Sequence, residues 1–274
     1  GRAGTLEEEV AQRHEIPFRG IAVAPWPRRG RLRQAYTAGR LAWGVVQGLA
    51  LLRRVRPQAV VGVGGYVSLP LGFAAQRLGI PTVLHEQNAH LGLANRVLAE
   101  AATCLCLSFA ETAGAARASR TRVTGNPVRQ GFIAPPEPEA ARAQLGLQAG
   151  RPVLLVVGGS QGARTLNTAV AGALEAGALD EAQVLWATGR GEYETWRAHP
   201  AVQRPGVQVV PFIDDMPAAA SAADCIVSRA GASSTAEIAA VGRASVLVPY
   251  PHATDNHQSA NARTFEAAGA AEVL

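Results

Sequence analysis

Four polar residues in a row, His85-Glu86-Gln87-Asn88, follow the apolar stretch Gly79-Ile80-Pro81-Thr82-Val83-Leu84. At the carboxyl edge of a parallel sheet, where open α/β folds bind ligands, such a row offers proton-transfer groups and two amides to a substrate. The bland reading is a polar strand end that caps the next helix. Two glycine-rich loops offer different chemistry: Val60-Val61-Gly62-Val63-Gly64-Gly65-Tyr66-Val67-Ser68 and Val153-Leu154-Leu155-Val156-Val157-Gly158-Gly159-Ser160-Gln161-Gly162-Ala163-Arg164. Each runs from an apolar strand through glycines into a helix. That geometry brings backbone N–H groups and the positive end of a helix dipole to a phosphate-sized anion.

Two further segments repeat the strand-to-loop transition. Asp224-Cys225-Ile226-Val227-Ser228-Arg229-Ala230-Gly231 leads into Ala232-Ser233-Ser234-Thr235-Ala236-Glu237. Small hydroxyl residues at a helix start suit a diphosphate, and a carboxylate in the first turn could accept both hydroxyls of a ribose. A capping box, with Ser234 as cap and Glu237 returning the bond, fits the same residues. The last segment, Pro249-Tyr250-Pro251-His252-Ala253-Thr254-Asp255-Asn256-His257-Gln258, places Asp255, His257 and Gln258 where they could bind sugar hydroxyls or move a proton. No metal site is expected. Asp255 and His257 have no third ligand in sequence reach, and Asp214 and Asp215 are adjacent rather than spaced as Asp-x-Asp. A chain without lysine cannot form a Gly-x-x-x-x-Gly-Lys loop.

Positioning these groups requires alternating strands and helices. Apolar runs predict strands at 20–24, 58–62, 81–84, 103–107 and 121–124, then at 152–157, 183–187, 207–210, 224–228 and 245–249. Alanine-rich helices are expected at 32–54, 67–78, 91–101, 163–175, 215–222, 234–241 and 256–268. This alternation implies an α/β fold with doubly wound parallel sheets. The proline-rich segment from Ile133 to Glu139 reads as a linker, which divides the chain into 1–133 and 134–274. Both ends read as interrupted: Gly1 to Thr5 is a loop with no strand before it, and Glu272-Val273-Leu274 opens a strand that stops.

The 274 residues, 48% hydrophobic, suffice for one large or two medium domains. No apolar run approaches the roughly 18 residues that span a bilayer, and no secretory leader is evident, so a cytoplasmic location is expected. Cys104, Cys106 and Cys225 sit in apolar stretches and read as buried free thiols. All 26 basic residues are arginine, which suits a GC-rich genome better than a nucleic-acid partner. Eight of them (Arg28, Arg29, Arg31, Arg33, Arg40, Arg53, Arg54, Arg56) fall in one acid-free segment. Trp26, Leu32, Tyr36, Leu41, Trp43 and the 45–52 apolar run are interleaved with them. The segment suits an anionic membrane surface or a phosphate-bearing ligand, and equally an amphipathic helix with a solvated basic face.

Taken together, Gly-Val-Gly-Gly-Tyr-Val-Ser (62–68), His-Glu-Gln-Asn (85–88), Gly-Asn-Pro-Val-Arg (125–129), Gly-Gly-Ser-Gln-Gly-Ala (158–163), Phe-Ile-Asp-Asp-Met (212–216), Arg-Ala-Gly-Ala-Ser-Ser-Thr-Ala-Glu (229–237) and Asp-Asn-His-Gln (255–258) resemble the MurG family of bacterial peptidoglycan transferases. The resemblance implies a GT-B architecture, two Rossmann-like domains facing a cleft. It implies inverting transfer of N-acetylglucosamine from UDP-N-acetylglucosamine to a lipid-linked N-acetylmuramyl-pentapeptide, at the cytoplasmic face of the membrane. No cofactor is implied as required, and stimulation by a divalent cation is left open.

By the same resemblance, Ser160 and the backbone of Ile213 serve the donor nucleotide. Ala232, Ser233, Ser234, Thr235 and Ala236 hold the diphosphate, and Glu237 the ribose. Asn88 and Gln258 contact the sugar, and Arg129 approaches the donor from the interdomain hinge. Gly64, Gly65, Tyr66 and Ser68 face the acceptor diphosphate. The family's opening glycine loop, which ends in a histidine, has no counterpart here, so the general base is not named; His85 and Glu86 are the candidates that remain. His257 beside Gln258 departs from the family pattern. Alternatives are a UDP-sugar 2-epimerase-like isomerase of the same fold and a nucleotide-sugar-binding module without turnover. A nicotinamide oxidoreductase is disfavoured because neither loop fits Gly-x-Gly-x-x-Gly.

Overall fold

The computed structural model describes residues 1–274 except Arg28, Ala116, Arg117, Ser119, Ser160 and Gln161. The chain forms two compact units, Gly1–Gly125 and Asn126–Leu274.

The first unit contains α1 (Leu6–Arg13), α2 (Arg31–Val55), β1 (Val60–Gly62), α3 (Gly65–Arg77), β2 (Thr82–Glu86), α4 (Leu93–Leu98), β3 (Cys104–Leu107) and β4 (Thr121–Val123). The strands are parallel, in the order β1-β2-β3-β4. Leu84, Leu105 and Leu107 leave one sheet face for a core completed by Leu91 and Leu98. Glu86 is two residues from Leu84 and is buried with it, so strand alternation turns His85 to the opposite face. Long helix α2 lies against α3 through Gly44, Gly48 and Leu52. A Cβ at Gly44 would stand 2.4 Å from the Ala22 carbonyl oxygen, so this close approach requires glycine.

The expected strand at 20–24 does not form. Ile21 and Val23 are buried, which accounts for the apolar signal. The backbone bonds elsewhere, however: Ala22 N–H donates to Gln47 Oε1 at 2.7 Å and Ile21 N–H to Gly1 O at 3.1 Å. Apolar alternation reports burial, and a strand also needs a neighbour to pair with.

The second unit contains α5 (Pro138–Gln144), β5 (Val153–Val157), α6 (Arg164–Glu175), β6 (Gln183–Ala187), α7 (Tyr193–Arg197), β7 (Val207–Val210), α8 (Met216–Ala222), β8 (Cys225–Ser228), α9 (Ala232–Val241), β9 (Ala244–Leu247), α10 (His257–Ala267) and β10 (Ala271–Val273). Its parallel sheet runs β10-β9-β8-β5-β6-β7. Leu155, Ile226 and Leu247 pack on one side with Phe132, Ile213 and Ile238. Val156, Val184 and Trp186 pack on the other with Leu166, Val170 and Leu174. Both faces are covered, as a parallel sheet requires.

The division between units precedes the proline segment rather than falling at 133/134, because residues 126–132 dock on the second unit. Phe132 is in its core, and Asn126 Nδ2 donates to Ala232 O at 3.4 Å. The prolines themselves do not form a featureless linker. Pro138 stands in the first turn of α5, where a missing N–H costs nothing and a fixed φ favours the helix. The three cysteines are free and half-buried rather than fully enclosed. Burial still pushes the Cys106 and Cys225 thiols up. No helix of the described residues is long and apolar enough to cross a membrane.

Candidate functional site

The strand order of the second unit locates its site. From β5 the chain winds outward through β6 and β7, then crosses to β8 on the other side of β5 and continues through β9 and β10. The direction reverses between β5 and β8, and in such sheets the crevice at that reversal, outside the carboxyl ends of the strands, binds ligands. The loops that leave those two ends are 158–163 and 229–231.

In the first loop, Gly162 has φ +75°, and an added Cβ would lie 2.2 Å from the Thr188 carbonyl oxygen. Only glycine allows the loop to fold this closely against the end of β6. Ser160, expected to serve the donor, lies outside the described residues.

In the second loop, α9 starts at Ala232 with Gly231 as N-cap and no side chain capping it. Its first N–H groups are therefore not taken by a capping side chain, as an anion site at a helix N-terminus requires. The expected start at 234 is two residues late, so Glu237 falls in the second turn and forms no capping box. Its Oε1 accepts from Arg129 Nε at 2.8 Å, and the Arg129 guanidinium lies over the Phe132 ring. The Thr235 hydroxyl turns back to the carbonyls of Gly231 and Ala232, both at 3.1 Å. It is buried there, so Thr235 contributes structure, while Ser233 is exposed and Ser234 half-buried. Ser234, Glu237, Ser228, Val157, Met216 and Phe132 line one small cavity. Ile213 sends its side chain into the core below, and Asp215 caps α8 by accepting from Ala218 N–H at 3.0 Å. Gln258 Oε1 accepts from Tyr250 N–H at 2.9 Å, which closes the β9–α10 connection. Ala236 is half-buried in the first part of α9.

A polar network behind the first loop escaped sequence reasoning. Glu192 accepts from Arg164 Nε at 2.7 Å, Asn167 Nδ2 at 2.9 Å and Trp196 Nε1 at 3.1 Å. Asn167 also accepts from the buried Trp186 Nε1 at 3.0 Å and donates to Thr188 O at 3.0 Å. The hydrogen bond from Arg164, with smaller help from Asn167 and Trp196, holds the Glu192 carboxyl below its ordinary range. A depressed folded-state pKa adds stability that is present above the ordinary carboxylate range and is lost as pH falls through the folded value. Glu192→Gln is therefore expected to be less stable than the parent at neutral pH. Urea titrations should show that difference shrinking as the solution is acidified; a gap that stays constant with pH would assign it to shape rather than charge.

In the first unit, α3 begins after Gly64 (φ 84°), again with no side-chain cap. Ser68 Oγ donates back to Gly64 O at 2.6 Å, while Tyr66 is half-buried near Gly65. His85 Nε2 donates to Gly125 O at 3.0 Å, and His85 Nδ1 accepts from Gln87 Nε2 at 3.1 Å. Both ring nitrogens thus have partners within the first unit, and Gln87 Nε2 also donates to Val63 O at 2.9 Å. Glu86 is 3% exposed. It accepts from Asn88 N–H (3.2 Å), Asn88 Nδ2 (3.3 Å), Gly92 N–H (2.9 Å) and Asn95 Nδ2 (2.9 Å). This arrangement is a brace for the 86–95 turn. Asn95, invisible to motif reasoning, completes it by donating to His85 O at 3.0 Å. Among the described residues, no group of three or more His, Cys, Asp or Glu is placed to hold a metal ion.

Residues 1–106 match the glycosyltransferase family 28 N-terminal domain, and residues 153–274 match the glycosyltransferase family 28 C-terminal domain. The chain is 41% identical over 277 residues to the UDP-N-acetylglucosamine–N-acetylmuramyl-(pentapeptide) pyrophosphoryl-undecaprenol N-acetylglucosamine transferase of Syntrophotalea carbinolica, covering 100% of this chain and 75% of that protein. It is 44% identical over 236 residues to the protein of the same name from Acidithiobacillus ferrooxidans, covering 86% of this chain and 64% of that one. Among solved structures it is similar to Acinetobacter baumannii MurG, with a TM-score of 0.78 at 32% identity over 100% of this chain and 76% of that one. A UDP-GlcNAc 2-epimerase from Methanocaldococcus jannaschii aligns with a TM-score of 0.57 at 12% identity over 98% of this chain and 77% of that one, a likeness of fold alone.

Proposed function

The chain belongs to glycosyltransferase family 28, and from that premise we infer that it carries out the transfer of its MurG relatives. It has the α/β GT-B fold. N-acetylglucosamine passes from UDP-N-acetylglucosamine to the lipid-linked N-acetylmuramyl-pentapeptide, the step of peptidoglycan synthesis that converts lipid I to lipid II. The isomerase alternative is not favoured, since it rests on fold and the transferase on sequence as well.

The observation that carries the donor assignment is the uncapped start of α9 at the topological reversal, with the Arg129–Glu237 pair beside it. The N–H groups of Ala232 to Ser234 take the diphosphate. Glu237 takes the ribose through its remaining oxygen, held in place by Arg129. Ser160 and the Ile213 backbone serve the nucleotide, and Gln258 the sugar. The start of α3, with Gly64, Gly65, Tyr66 and Ser68, takes the acceptor's diphosphate. The transfer is inverting, so a base must deprotonate the acceptor hydroxyl; the partners of His85 and Glu86 suit them to bracing rather than to that step. The reaction needs no bound cofactor in this reading, because the helix dipole and backbone donors stabilise the leaving diphosphate.

The protein works as a peripheral enzyme at an anionic membrane surface, on its cytoplasmic side. Supporting this, α2 exposes Leu32, Tyr36, Trp43, Val46 and Val55 together with Arg31, Arg33, Arg53 and Arg54. Labelled N-acetylglucosamine is expected to move from the UDP-sugar to lipid-linked acceptor in anionic vesicles. Protein sedimenting with those vesicles should be released by salt, because screening weakens charge-based attachment. Binding of the UDP-sugar without turnover would favour the binding module, and equal retention on neutral vesicles would remove the electrostatic part.

A further inference from the structure

Arg229 stands at the end of β8, immediately before the Ala230-Gly231 turn into α9. Its Nη1 donates to two successive carbonyls, Val248 O and Pro249 O, each at 3.1 Å. Its guanidinium also lies 5.7 Å from the centre of the Tyr250 ring. Among the described residues no carboxylate forms a salt bridge with it, and burial pushes its pKa down. A half-buried cation that faces carbonyls rather than an acid is acting on the backbone it touches.

That backbone is the connection from β9 to α10, whose first turn carries Gln258. Tyr250 N–H donates to Gln258 Oε1 at 2.9 Å, so the loop fastened by Arg229 at one end is fastened to Gln258 at the other. From α10, Asn261 Nδ2 donates to Ala230 O at 3.0 Å and ties the helix to the residue after Arg229. Within the loop, Asp255 (φ 52°) and Asn256 (φ 54°) occupy the left-handed region in succession. Asp and Asn enter that region more readily than other side chains, and two in succession turn the chain sharply into α10. The hydrogen bonds of Arg229 and Asn261 hold the chain on either side of this turn.

We propose that Arg229 is a positioning residue for the donor sugar, holding the 248–258 loop so that Gln258 meets the sugar in register with the diphosphate on α9. The proposal rests on the assignment of α9 to the UDP-sugar. It says that Arg229 acts through the loop on the sugar, not through its charge on the diphosphate. UDP, which carries the diphosphate but no sugar, separates the two.

The test is calorimetric titration of UDP and UDP-N-acetylglucosamine into the protein and into folded Arg229→Met and Arg229→Lys, with turnover measured alongside. Arg229→Met should bind UDP within about twofold of the parent and lose about tenfold in affinity for the UDP-sugar, a size expected of a displaced contact. Arg229→Lys should fall between, since an ammonium can still reach one carbonyl. Should Arg229→Met fail to fold, Pro251→Gly loosens the same loop from its exposed side and should give the same selective loss at about threefold. Equal weakening of both ligands, or no change in either, overturns the proposal, as does a folded Pro251→Gly with parental affinities. A parent protein that binds neither ligand overturns the donor-site assignment and this proposal with it.

Discussion

Glu237→Ala is expected to lower kcat/KM for UDP-N-acetylglucosamine by about a hundredfold to a thousandfold and to weaken UDP itself by a similar factor. Hydrogen bonds to a charged group are worth about 1.5–3 kcal/mol each, and a ribose diol offers the carboxylate two of them. The side chain is only 16% exposed, so water replaces those bonds poorly. Arg129 contributes less, because it is 51% exposed and an exposed ion pair is worth about 0–1 kcal/mol. Arg129→Ala should therefore act mainly by loosening the carboxylate and cost only a fewfold. Glu237→Gln keeps the shape and one acceptor and should lie between. Titration of UDP decides the matter: unchanged affinity in a folded Glu237→Ala would remove this residue from the ribose. Loss of both ligands here, against loss of the UDP-sugar alone in Arg229→Met, distinguishes a nucleotide contact from a sugar-loop brace.

The second large effect concerns folding. Glu86→Ala is expected to destabilise the first unit by about 3 kcal/mol, because Asn88, Gly92 and Asn95 would lose their shared acceptor inside the protein. That loss corresponds to a fall in Tm of roughly 10 °C. Glu86→Gln is nearly isosteric but turns an NH2 group toward donors, so it should recover little of the loss. Differential scanning calorimetry reads both. A protein that keeps its melting temperature and loses turnover would instead return Glu86 to the role of a proton-transfer group. Asn95→Ala should repeat part of the fall, since it removes donors to both Glu86 and the His85 carbonyl.

Most strands and helices were legible because their signals are local. Val153–Val157 and Gln183–Ala187 are apolar runs of strand length, and α6 shows the periodicity of a helix with one buried side. The segment at 20–24 misled because burial and pairing produce the same apolar pattern, and α5 was hidden because prolines both end chains of structure and begin helices. The short helices α1 and α7 bury no residue, so no core-facing apolar stripe marks them.

For the site, residue types and spacing determined the chemistry on offer: glycine turns before helices, a carboxylate beyond a serine-rich helix start, and a polar row after a strand. They also carried the family resemblance, because those motifs are contiguous in sequence. What the chain order could not decide was which groups engage one another. Arg129 reaches Glu237 across 108 positions, and Arg229 reaches Val248 and Pro249 across the whole of α9 and β9. Glu86 and His85 look like a proton-transfer pair in sequence. On a strand they face opposite ways, and each is filled with partners that only the fold supplies. Local propensity follows from neighbours along the chain, whereas the state of a polar group depends on the donors and acceptors that packing brings to it.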